Sequence, residues 1–150
     1  MIKPLAALAG AAALSLTFVV PATAATTAQA GTTATTSTTV CGSTGLQAGR
    51  NTKLCAERNG DQVRLYGVVS LAGPVSPGTP WPPSQQLFTV ITGTSPSGTL
   101  YGTPVYNAST ITVGDVTGTV ACDVPVQGTF SVESYGLPPH PVSLNAVVPC

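Results

Sequence analysis

Charge is scarce in this sequence, and its scarcity excludes more than any motif establishes. Only 7% of the 150 residues are charged, five Lys or Arg against five Asp or Glu, for a formal net charge of zero. Proteins hold nucleic acid largely through Lys and Arg on its phosphates, so this composition argues against a nucleic-acid partner. There is no acidic or basic tail. Histidine occurs once, at His140, which with five carboxylates leaves little material for general acid–base chemistry. The four cysteines form no Cys-x-x-Cys pair, and His140 stands between Pro139 and Pro141, so no zinc site is expected. No Gly-rich phosphate loop is present, and no cofactor is expected. Tryptophan also occurs once, at Trp81.

The N-terminus supplies an address. Met1-Ile2-Lys3 precedes an apolar run from Leu5 to Val20, and Pro21-Ala22-Thr23-Ala24 follows with the small residues a signal peptidase accepts. A spanning helix needs about 20 apolar residues. The run is shorter and ends in a cleavable segment, so residues 1–24 read as a secretory signal peptide cut near Ala24. A second site of the same kind, Ala28-Gln29-Ala30, follows closely. The expected mature protein has no membrane span and is secreted, free or associated with the cell wall. The wealth of Ala, Thr, Gly, Val and Pro suggests a bacterial source. Residues 25–39 hold eight Thr, four Ala and no charge, which reads as a flexible leader.

Beyond the leader the hydrophobic period is two. Val63, Leu65, Val69 and Leu71 share one face of a strand against Arg64, Tyr66 and Ser70. Leu87–Thr92, Thr99–Val105, Ala108–Val113 and Val116–Cys122 follow as further runs. Phe130 and Val132 alternate with Thr129, Ser131 and Glu133. Val142, Leu144, Ala146 and Val148 alternate with Ser143, Asn145 and Val147. Gly, Pro, Asn and Asp clusters separate the runs, and no window reads as an amphipathic helix. One all-β domain over 40–150 is predicted, an antiparallel β-sandwich of seven or eight strands, immunoglobulin-like in architecture.

The immunoglobulin cysteine signature is nonetheless missing. It would pair Cys55 with Cys122, but Val120 stands where that fold has its Tyr, and Trp81 falls too far after Cys55. Strictly alternating strands put Cys122 and Cys150 together at the top edge, and Cys41 with Cys55 at the bottom. A bridge needs Cα atoms within about 7 Å, so the predicted disulfides are Cys41–Cys55 and Cys122–Cys150. In the chain-entropy view, closing loops of this size stabilises the fold by roughly 3–4 kcal/mol each.

Two Pro-rich loops are the candidate sites. Residues 72–86 contain Pro74, Pro77, Pro80, Trp81, Pro82 and Pro83, and each ring lowers the entropy lost on binding. Trp81 there is either an anchor for a protein or glycan or a plug that seals one end of the sandwich. Residues 135–141, with Tyr135 and His140, repeat the chemistry on a smaller scale. Strand alternation places this loop at the end opposite Trp81, and His140 reads as a solvated loop residue. Catalysis finds no support. A Ser-His-Asp set would need His140, the thiols are expected to be oxidised, and Glu57, Asp61 and Asp115 read as solvated turn residues. No catalytic residue is assigned and no enzyme is expected.

These features predict a small secreted, disulfide-bonded, monomeric binding module for an extracellular protein or glycan, with Trp81 and Tyr135 as ligand contacts. The alternatives are a proteinaceous inhibitor of an extracellular hydrolase and a passive structural protein of the cell envelope.

Overall fold

A computed structural model of the chain describes residues 37–74, 76–134 and 140–150. The expected signal peptide, the leader up to residue 36, and Tyr135 lie outside the described residues. Among those described there are strands and turns but no helix.

Two antiparallel sheets stack face to face. The first contains β1 (Thr38–Cys41), β2 (Gly45–Gln47), β3 (Arg50–Asn59), β4 (Gln62–Leu71) and β9 (Thr110–Thr119). Its order is β1-β3-β4-β9, with β2 also on β3, so β1 and β2 form one interrupted edge. The second contains β6 (Phe88–Ser95), β7 (Ser97–Gly102), β10 (Val126–Glu133) and β11 (Val142–Ala146), in the order β11-β10-β6-β7. A two-residue pair, β5 (Gln85–Gln86) with β8 (Val105–Tyr106), stands apart from both. The protein is therefore an open β-sandwich. Its first strand takes up Thr38 and Thr39 from the predicted leader.

Local sequence explains the hairpins. Between β2 and β3 both turn residues, Ala48 and Gly49, have positive φ (48° and 70°), the type I′ geometry whose twist suits a two-residue hairpin. Between β3 and β4 only the first central residue, Gly60, is left-handed (59°), as a type II′ turn requires.

Alternation then builds the core. Leu54, Val63, Leu65 and Val69 of the first sheet face Ile91, Phe130, Val132 and Leu144 of the second, all buried. Full burial of such a side chain contributes about 1.5–3 kcal/mol. The Phe130 ring lies over Gly67, where an added Cβ would come within 2.5 Å of its Cε2 atom. Glycine interrupts the apolar face of β4 because the opposing ring occupies that volume.

Both predicted disulfides are present, but not for the reason strand alternation supplied. Cys55 lies in the middle of β3, a strand the sequence reading did not include, and stands opposite Cys41 of the neighbouring β1. Residues 108–113 and 116–122 are not two strands joined by a turn. They form the single strand β9, and Gly114 (φ 52°) sits in a bulge where two residues oppose one of β4. Counting β9 twice reverses the direction of every later strand. Cys122 and Cys150 follow β9 and β11, which run the same way, so they still meet; their end is the one opposite to that expected.

Candidate functional site

The same correction puts the strand ends that lead into the two Pro-rich segments, Leu71 and Glu133, at one end of the sandwich. β4 finishes at Leu71 beside Arg50, the first residue of β3. β10 finishes at Glu133 beside Phe88, the first residue of β6. Gln47, at the end of β2 next to Arg50, ties these two corners together. Its Nε2 donates to the Phe130 carbonyl at 3.1 Å, and its Oε1 accepts the Val132 N–H at 2.9 Å. The segments after Leu71 and after Glu133 therefore leave from the same end of the sandwich.

The described part of the first loop is pinned at three places. Ser76-Pro77-Gly78-Thr79 forms a turn in which Gly78 has φ 82°, the Pro-Gly arrangement of a type II turn. Both Thr79 N and Oγ1 donate to the Ser76 carbonyl, at 3.1 and 2.7 Å. Downstream, β5 pairs with β8, and Leu87 N–H donates to the Pro104 carbonyl at 3.0 Å. Arg50 locks this pair from the sheet. Its guanidinium lies 4.5 Å over the Tyr106 ring, and Nη2 donates to Gln85 Oε1 at 3.3 Å. Trp81 stands between the turn and the β5–β8 pair with 61% of its surface exposed. It does not seal the sandwich.

Around the start of β6 the exposed apolar surface continues. Phe88 is 43% exposed, Tyr101 76%, and Val105 of β8 is also exposed. Register puts Val90 opposite Tyr101, and Phe88 opposite Glu133, so these four side chains share the outer face of the second sheet. They border a depression of about 500 Å³ that Gly102 and Thr103 complete. The sequence held a signal for it, since Phe88 and Val90 alternate with inward Thr89 and Ile91. Assigning that run no face left the signal unread.

The outer face of the first sheet has different chemistry. Arg64 lies between two carboxylates, 3.6 Å from Glu57 and 3.4 Å from Asp115, with its guanidinium 5.0 Å over Tyr66. Glu57 belongs to β3 and Asp115 to the β9 bulge, so neither is the turn residue the sequence suggested; Asp61 does occupy the β3–β4 turn. Both carboxylates are engaged by one cation. His140 is exposed, and no three His, Cys, Asp or Glu side chains gather as a metal site among the described residues. No described helix is long and apolar enough to cross a membrane. The two disulfides suit an extracellular or otherwise oxidising environment.

Compared with protein-family models, curated proteins and solved structures, the chain shows no match in any of the three.

Proposed function

We propose that this protein is an exported, monomeric, non-enzymatic binding module that takes a protein or glycan outside the cell. The observation that carries the reading is Trp81, presented to solvent from a Pro-stiffened segment that a turn and the Arg50–Gln85–Tyr106 cluster hold at either side. A large aromatic whose backbone is already ordered loses little entropy on contact, which is the property of a binding anchor. The signal-like N-terminus and the two disulfides support export, with the cell wall as one place of residence.

The test is retention of the mature domain on wall extract and on culture-supernatant proteins, beside Trp81→Ala. Retention that Trp81→Ala weakens about tenfold, with circular dichroism unchanged, supports the reading. Equal retention of both proteins removes Trp81 from the site. Stoichiometric slowing of a secreted hydrolase would instead make the module an inhibitor.

A further inference from the structure

We infer that the outer face of the second sheet is a track for a neutral polysaccharide. The inference rests on the binding-module reading and names its ligand class and the surface that takes it. Three observations carry it.

The first is the distribution of charge. Every described Lys and Arg lies on β3 or β4 of the first sheet. The outward residues of β6, β7, β10 and β11 include no cation and a single carboxylate, Glu133. An anionic ligand finds nothing to pair with here, and a polycation finds one charge.

The second is the order of the side chains. Strand register places Thr99, Thr92, Thr129 and Ser143 in one row across all four strands. Beside this row, Thr94, Gln127 and Asn145 border a second depression, of about 230 Å³. On its other side the row of Tyr101, Val90 and Ser131 leads to Phe88 and Glu133 and the larger depression. One strip thus passes from aromatic and apolar side chains to hydroxyls and carboxamides. Sugar rings demand that combination, with C–H faces that stack on aromatics and hydroxyls that exchange hydrogen bonds with Thr, Asn, Gln and a carboxylate.

The third is size. From Phe88 to Thr94 the strip is about 20 Å long at roughly 3.4 Å per residue, and four strands make it about 14 Å wide. That strip is narrow and elongated, the shape of an extended chain lying along it. It suits several sugar units of an extended chain, with two depressions as successive subsites. Trp81 lies off this strip, on the loop at its aromatic end.

The experiment is affinity electrophoresis and pull-down of the full mature domain. The neutral probes are cellulose, β-1,3-glucan, mannan and chitin, with heparin as the anionic control. The variants are Tyr101→Ala, Phe88→Ala and Thr129→Lys, all at outward positions, beside Trp81→Ala, with melting curves confirming each fold. Expected is retention on at least one neutral polymer and none on heparin, weakened about tenfold by each of the three strip variants. Retention on a neutral polymer that Trp81→Ala abolishes and the strip variants leave unchanged overturns the track and preserves the binding module. Capture of wall or supernatant proteins without any neutral polymer has the same meaning. Failure to retain any polymer or protein overturns both. Retention on heparin alone overturns the track, because the strip offers no cation.

Discussion

Gln47 and Val132, 85 residues apart in sequence, are joined by a hydrogen bond that completes a sheet. β11 pairs with β10 only as far as Phe130, opposite Val142, so the Val132 N–H beyond it has no strand beside it. The Gln47 carboxamide accepts from the Val132 N–H and also donates to the Phe130 carbonyl, and its Nε2 lies 2.6 Å from Thr52 Oγ1. One buried side chain stands in for a missing peptide and fastens the two sheets together.

Gln47→Ala is expected to destabilise the domain by about 1–3 kcal/mol, because the buried Val132 N–H loses its partner. Gln47→Glu should cost at least as much, since a carboxylate cannot donate to the Phe130 carbonyl and would be buried as a charge. Urea unfolding of the purified domain measures both. Values within 0.5 kcal/mol of the wild type would show that water replaces the amide, at the level expected of an ordinary surface change.

The contact between Gly67 and Phe130 is equally specific. Gly67→Ala places a methyl group into the ring and should destabilise by about 1–3 kcal/mol, the range for overpacking a filled core. Combined with Phe130→Leu, which removes the obstructing edge, the penalty should shrink. A double-mutant cycle with a coupling energy near zero would mean that the two residues do not share this volume.

Arg58 is a third buried group with one arrangement open to it. It is 2% exposed, and no carboxylate lies within ion-pair distance among the described residues. Its Nη1 donates to the Val120 carbonyl at 2.8 Å and the Gly60 carbonyl at 3.3 Å, and Nη2 donates to Ala121 at 3.3 Å. The planar fork thereby holds the β3–β4 turn to the residues leading into Cys122. Arg58→Lys keeps the charge but loses the fork, and about 2 kcal/mol of stability is expected to go with it. Thermal melting of the two proteins side by side decides the point; matching midpoints would contradict the role given to the fork.

The disulfides should differ in what their loss does. Replacing both Cys122 and Cys150 by Ser opens a loop of 28 residues and should cost roughly 3–4 kcal/mol in the entropic account. Loss of Cys41–Cys55 opens only 14 residues, and the four-residue register of β1 on β3 persists as a further restraint. A smaller cost, roughly 3 kcal/mol or less, is expected there. Guanidinium unfolding of the two Cys→Ser pairs ranks them, and the reverse order would refute the assignment.

Much of this architecture was legible because strand alternation is a local property. Val63, Leu65 and Val69, then Phe130 and Val132, then Val142, Leu144 and Val148, announce their inward faces two residues at a time, and all are buried. The disulfide pairing was legible too, although Cys122 and Cys150 came together through two reversals that cancelled. β3 was not. Its inward face carries Thr52 and Arg58 among the apolar residues, and a polar residue reads as outward until its hydrogen-bond partners are known.

The sequence by itself settled that the chain is built from short antiparallel strands, because side-chain period and turn chemistry operate over a few residues. Only the tertiary structure decided whether Gly114 reverses the chain or merely bulges it, since a left-handed glycine serves either purpose and the partner strand β4 makes the choice. That choice sets the direction of β10 and β11. With it come the end from which both Pro-rich loops depart and the row of Thr and Ser residues that four separate strands lay side by side.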